Sequence, residues 1–349
     1  MRMETLTARG VEIDTEKPIS SVALLSTRRI GEIEEGILSS LKETGVQTVD
    51  LVNSVDNLEN YDRTVFPNPM YSNITLIEGI QTLVKPSPVR VWNSEQYPHY
   101  PLPKSGMKML ANARYQAERL LGKENIPGGR LRMLGEMFQL AESGIDFKLS
   151  VYSEVNRRFF EEMGIDAQRV PPGYFKELGH DLGIPMEQRT TDVVFLGSTK
   201  GNRREKIVRE LQYEFSKRKV GEKEICFEVY DIENLGHGLV YGNERTNILN
   251  NSKIMLSLAR DPHDDHIFRH FLAGANRTAL IAEKTSSDDT DAIKPFLEGE
   301  DLVMEDIVHI PDRVQNLLTD IDEINRLADN LHKMVMSLPT TDMVQEVIR

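Results

Sequence analysis

Two trains of short apolar runs, each run followed by an amphipathic stretch, constrain this chain more than any other feature. The first train is SVALLS, VQTVDLV, YDRTVFPNP, VRVWNSEQ, FKLSVYS and QRVPPGYF. Between its members lie GEIEEGILSSLKETG, ITLIEGIQTLV, a mostly helical stretch from about 104 to 143, and EVNRRFFEEMG. Gly45 and Gly164 stop two of these helices, and Pro86 and Pro88 stop a third. Strands that alternate with helices argue for a parallel sheet covered on both faces.

The segment HDLGIPMEQRTTD interrupts the pattern. It is polar, carries Gly183 and Pro185, and reads as a linker. Behind it the pattern restarts with DVVFLGS, ICFEVYD, KIMLSLA and TALIAE; DLVMED supplies an edge, and a helical tail contains INRLADNLHKMVMSL. The fold class read from this is α/β, with two doubly wound Rossmann-like domains facing a cleft. A polar lead-in covers residues 1–20, an N-terminal domain residues 21–186, and a C-terminal domain with the terminal helices residues 187–349. Ligands of such sheets sit beyond the carboxyl ends of the strands, and two facing domains put the cleft between them.

Charge narrows the partners. A formal net charge of −13 repels polyanions as a whole and weighs against a duplex-coating role. No apolar run approaches the roughly 20 residues of a membrane span, and the N-terminus lacks the apolar core of a signal peptide. The single cysteine, Cys226 in EICFEVY, cannot form an internal disulfide and reads as a buried strand residue, so a reducing, cytoplasmic setting is expected. Asn276-Arg-Thr matches a glycosylation acceptor but carries no weight without a secretion signal.

Four stretches carry candidate chemistry. In GSTKGNRREK, Gly197 and Ser198 follow a strand, and Arg203 and Arg204 crowd a helix start. Cations are locally unfavourable there unless an anion sits among them, and backbone N–H groups at a helix start already favour one. The stretch fits neither GxxxxGK[ST] nor GxGxxG. It reads as a diphosphate site or, equally, as a solvated basic face paired with Glu205 and Glu210.

In NNSKIMLSLARDPHDDHIFRHFLAGANRTALIAE, Arg269 is a second phosphate-facing cation or a surface arginine, and Glu283 ends a strand. His266 and His270 stand four apart on one helical face, with Asp264 a thinkable third metal ligand. Without an HExxH pattern, a hydrogen-bonding role near phosphate is the simpler reading, and no metal is expected. In VWNSEQYPHYP, Glu95 leaves a strand end beside His99, either as a general base or as a solvated loop carboxylate. VPPGYF, stiffened by Pro171 and Pro172 and opened by Gly173, is a cleft wall or a plain turn.

Together these residues resemble a GT-B glycosyltransferase. DVVFLGS followed by Arg203 and Arg204, the Asn251-Ser252-Lys253-Ile254 strand, the Arg269 helix and AGANRTALIAE are similar to the group-1-like transferases of the spore-maturation type. Length, the strand–GS–arginine segment and Glu95 are also similar to phage DNA β-glucosyltransferases. The resemblance implies a UDP- or GDP-linked sugar donor held by Gly197, Ser198, Arg203, Arg204, Asp264, His266, Arg269 and Glu283. It implies Glu95 as base, with His99 in reserve, and no metal or other cofactor. The acceptor would be a hydroxyl of a glycan, a small molecule or a protein. Group-1 transferases carry two glutamates eight positions apart around the arginine helix; here Asp264 and Leu272 stand there, and Glu283 or Glu244 would have to substitute at the ribose. That departure keeps a donor-blind partner subunit as an alternative, beside a DNA glucosyltransferase.

Overall fold

The computed structural model describes residues 19–25, 32–52, 57–66, 79–80, 88–93, 102–121, 129–199, 202–231, 236–260, 267–285 and 293–349. Among them, β1 (Ser21–Leu25), β2 (Thr48–Val52), β3 (Arg63–Phe66), β4 (Val89–Asn93), β5 (Phe147–Val151) and β6 (Ala167–Arg169) form one parallel sheet in the order β2-β1-β3-β4-β5-β6. Helices α1 (Glu32–Glu43), α2 (Lys104–Leu121), α3 (Gly129–Glu142) and α4 (Glu154–Met163) are its crossovers. All five residues of β4 are buried, as a central strand covered on both faces requires. The N-cap of α4 is Ser153, whose hydroxyl accepts from the Asn156 N–H, and Gly164 closes the helix at φ 77°, a left-handed turn that glycine adopts without strain.

The second sheet contains β7 (Thr191–Leu196), β10 (Phe227–Tyr230), β11 (Ser252–Ser257), β12 (Ala279–Glu283) and β13 (Val303–Glu305), all parallel, in the order β10-β7-β11-β12-β13. A small antiparallel hairpin, β8 (Lys219–Val220) with β9 (Lys223–Glu224), precedes β10. Helices α5 (Asn202–Phe215), α6 (Gly242–Asn250), α7 (Ile267–Ala275), α8 (Ile310–Leu318) and α9 (Ile321–Met336) cover it. On α5 the buried apolar residues are Ile207, Val208, Leu211 and Phe215, one helical stripe laid on the sheet. Among the described residues no helix is long and apolar enough to cross a membrane.

Cys226 corrects an expectation. It lies just before the edge strand β10 and is exposed, because the inward positions are taken by Ile225 and Val229 on either side.

The polar linker is not slack. Asn250 Nδ2 donates to the His180 carbonyl at 2.9 Å while its Oδ1 accepts from the Leu182 N–H at 2.7 Å. Asn276 Nδ2 donates to the Leu178 carbonyl at 2.9 Å, and Arg245 donates to the Glu177 carbonyl at 2.6 Å. Irregular backbone buried against a domain must find partners, and these side chains supply them. Asn276 is fully buried, so the sequon it begins is not presented to solvent.

The chain crosses between the lobes a second time after α9. Leu338 and Thr340 pair with Tyr174: the Tyr174 N–H donates to the Leu338 carbonyl at 2.6 Å, and the Thr340 N–H to the Tyr174 carbonyl at 3.0 Å. Gly173 is needed here, since a Cβ would lie 2.6 Å from the Thr340 nitrogen. VPPGYF is thus one strand of a paired crossing. The last helix, α10 (Thr340–Ile348), then packs on α1 and β4 of the first lobe. Its Met343, Val344, Val347 and Ile348 are buried, each stabilising the return by about 1.5–3 kcal/mol.

Removing the linker clamp tests this arrangement. Asn276→Ala strands the buried Leu178 carbonyl, while the Asn250 amide keeps its His180 and Thr246 acceptors. At about 2 kcal/mol of lost stability, the thermal midpoint of the second lobe falls by about 4–8 °C, measured by differential scanning calorimetry.

Candidate functional site

Order β10-β7-β11 sends the chain out to one side of β7 and back to the other. The carboxyl ends of β7 and β11 therefore flank the switch point of the second sheet, where the connections diverge and a crevice opens. Gly197 leaves β7 at φ 148°, and a Cβ there would sit 3.0 Å from Nη2 of Arg269. The Gly197 N–H is held by the Tyr230 carbonyl at 3.0 Å. Two residues on, the buried Thr199 hydroxyl donates to the buried Asp231 carboxylate. The turn is thus fixed to the end of β10 at both of its ends.

Three guanidiniums converge on the facing end of β11. Arg204, only 2% exposed, donates to the Ser198 carbonyl at 2.8 Å and to the Leu258 carbonyl at 2.7 Å. Arg269 donates to that same Leu258 carbonyl at 3.1 Å. Arg203 donates to the next carbonyl, Ala259, at 2.9 Å, and pairs with Glu283. The guanidinium carbons of Arg204 and Arg269 each lie 5.9 Å from the centroid of the buried Phe195 ring, within cation–π range. The helix-start cations therefore fold back from their helix onto the carbonyls at the strand ends, whose negative partial charge replaces the unfavourable N-terminal field.

This arrangement concentrates positive charge. Two guanidiniums share one carbonyl, and like charges roughly 5 Å apart repel by about 3 kcal/mol at an effective dielectric near 20. Glu283 offsets one of the three. It is 1% exposed, ends β12, and accepts from the Ala259 N–H at 2.8 Å besides its pair with Arg203. Arginine's planar donors are of the kind that suit phosphate oxygens.

The structure thus brings Gly197, Ser198, Arg203, Arg204, Arg269 and Glu283 together. Glu95, His99, Asp264 and His266 lie outside the described residues. Glu283 holds Arg203 and the β11 end rather than facing the crevice, and Glu244 is an exposed first-turn residue of α6. Leu272 packs against the large apolar cluster between sheet and helices. His270 is a core residue, 1% exposed and edge-on to Phe296; burial, with the neighbouring Arg269 charge, pushes its pKa down to about 3 and keeps it neutral. Among the described residues no group of three metal-ligating side chains occurs.

Sequence reasoning missed the carbonyls of Leu258 and Ala259, the anchors of all three arginines; the only signal was a strand, KIMLSLA, running directly into a polar loop. It also missed Phe268, which leaves α7 beside Arg269 and meets two aromatic rings of the first lobe, Trp92 and Tyr152. Nothing in the sequence pairs residues that far apart.

No protein-family model and no curated protein matches the chain. Solved structures do. HepE of Anabaena, in complex with UDP, is similar with a TM-score of 0.60 at 8% identity, over 94% of this chain and 98% of that one. WaaG, a glycosyltransferase involved in lipopolysaccharide biosynthesis, is similar with a TM-score of 0.55 at 11% identity, over 93% and 98%. T4 phage BGT, in complex with its UDP-glucose substrate, is similar with a TM-score of 0.54 at 12% identity, over 93% and 96%. The chain covers only 56% of the longer TarM, at a TM-score of 0.50 and 9% identity. Two parallel sheets of this order, joined by a paired crossing and superposing along nearly the whole chain on these proteins, give it the GT-B glycosyltransferase fold.

Proposed function

We propose that the chain is a glycosyltransferase, a hexosyltransferase that moves a sugar from a UDP- or GDP-linked donor to an acceptor hydroxyl in the cytoplasm. The observation that carries this reading is the sharing of the Leu258 carbonyl by Arg204 and Arg269, with Arg203 one residue on, at the switch point of the second sheet. When the sugar–phosphate bond breaks, negative charge grows on the departing diphosphate. Donors already oriented toward that charge stabilise the transition state more than the bound donor. Arg203 and Arg269 supply them. The buried Arg204 acts through the turn, fixing the Ser198 carbonyl so that the backbone after Gly197 faces the crevice. The reading assigns charge neutralisation to guanidiniums rather than to a metal ion. The structures with bound UDP and UDP-glucose support a uridine donor as the first to test.

The acceptor enters from the first lobe. Glu95 follows β4, the central strand of that sheet, and takes the acceptor proton if the anomeric centre inverts; His99 is the second candidate.

A second reading is favoured by two observations. Leu272 offers no carboxylate for a ribose, and Glu283 is spent on Arg203 and Ala259. A subunit that keeps this fold without donor binding fits both. Thermal shift against UDP, GDP and their sugars separates the readings, since a ligand that binds only the native state raises its midpoint. A shift with none of them selects the second.

Two substitutions test the mechanism. Gly197→Ala puts a methyl group against Arg269 and weakens UDP binding by about tenfold, near 1.4 kcal/mol, by isothermal titration calorimetry. Glu95→Gln lowers donor turnover by about a hundredfold or more while UDP affinity stays within about twofold, measured by UDP release.

A further inference from the structure

We infer that Phe268 is a positioning residue: it ties Arg269 to the aromatic face of the first lobe, so that a nucleoside diphosphate in the crevice is felt at Trp92. The inference rests on the donor reading above. Phe268 lies edge-on to Trp92, centroids 5.8 Å apart at 68°, and tilted against Tyr152 at 5.7 Å. Trp92 sits on β4, is 1% exposed, and its indole N–H donates to the Val170 carbonyl at 3.1 Å. Tyr152, just past β5, is 3% exposed. Both rings belong to the first lobe and Phe268 to the second, so this is a direct aromatic contact across the molecule.

Phe268 and Arg269 are adjacent in the first turn of α7. Neighbouring side chains on a helix point about 100° apart, so one can face the first lobe while the other faces the crevice. The rest of α7 is held by the second lobe. Gly274 lets it approach α9 so closely that a Cβ would lie 2.9 Å from the Leu331 carbonyl, His332 bonds the Gly274 carbonyl at 2.7 Å, and Phe271 is buried against Phe296. A displacement of that first turn moves both side chains. Besides Phe268 and Tyr152, the indole meets an apolar pocket lined by Ile37, Leu41, Val65, Met343 and Val344, so its surroundings are apolar and its emission is sensitive to their packing. Near α7 a polar contact also joins the lobes, Arg169 donating to the carbonyl of Lys294. Seating a diphosphate on Arg269 therefore fixes the first turn, and Phe268 transmits that fixation to Trp92.

Trp92 is the only tryptophan in the chain, so its emission reports this contact without labelling. The experiment titrates UDP, and separately GDP, into the full chain, recording heat and tryptophan emission in parallel. The expected result is binding accompanied by a change in Trp92 emission. Phe268→Leu loses the change and binds the nucleotide about two- to tenfold more weakly, the worth of one aromatic pair. Phe268→Tyr keeps both. Arg269→Lys, which leaves the ring contacts in place, also loses the emission change. Should Phe268→Leu fail to fold, Phe268→Met makes the same comparison. Heat without an emission change in the unaltered chain, or a change that survives Phe268→Leu or Arg269→Lys, overturns the coupling and leaves the donor reading standing. No heat from either nucleotide overturns both.

Discussion

The Leu258 carbonyl accepts from two arginines, and the geometry of the candidate site depends on that shared acceptor. A parallel strand that ends at a switch point exposes its last carbonyls, because the neighbouring connections diverge and leave no ladder partner. Guanidiniums satisfy them from two directions, one from α5 and one from α7. The protein thereby fixes cations whose positions are set by strands, not by side-chain entropy. Preorganised charge of this kind costs no rearrangement when negative charge develops beside it.

The two lobes are joined in a way that suits such a site. Buried amides of Asn250 and Asn276 clamp residues 178–182 to the second lobe, while Phe175, whose ring would touch a Cβ at Gly36 within 2.6 Å, commits the preceding residues to α1. The crossing itself is short and doubled, Tyr174 beside Leu338–Thr340. On the second-lobe side of that pair, buried polar groups tie down residues 178–182, which would lose their partners on moving.

Much of the architecture was legible in the sequence, for a physical reason. Parallel strands buried on both faces read as continuous apolar runs, and SVALLS, DVVFLGS and TALIAE each became a central strand where expected. Local chemistry was legible less often. Arg203 and Arg204 were visible as a charge cluster, but that one holds Glu283 while its neighbour is buried on carbonyls follows from their angles about α5 and from β11, over 40 residues away in the chain. Cys226 went the wrong way because a run of β-formers does not reveal which register faces in at a sheet edge. Phe268 was invisible altogether, since an aromatic at helical spacing reads as core and its partners lie in the other lobe.

The charge of the chain and the charge of the crevice point in opposite directions, and the contrast bears on what the crevice accepts. At physiological ionic strength a charge is screened beyond about 8 Å, so a small diphosphate held as proposed by Arg203 and Arg269 would sense mainly the charges gathered at that strand end. A polyanion must lie along many further ångströms of surface, and there it meets a chain whose formal net charge is −13. On the proposed reading this contrast favours a compact nucleotide over a duplex. The pairing of Glu283 with Arg203 leaves the three arginines and this carboxylate with a net charge of roughly two, which would match the diphosphate of the proposed donor.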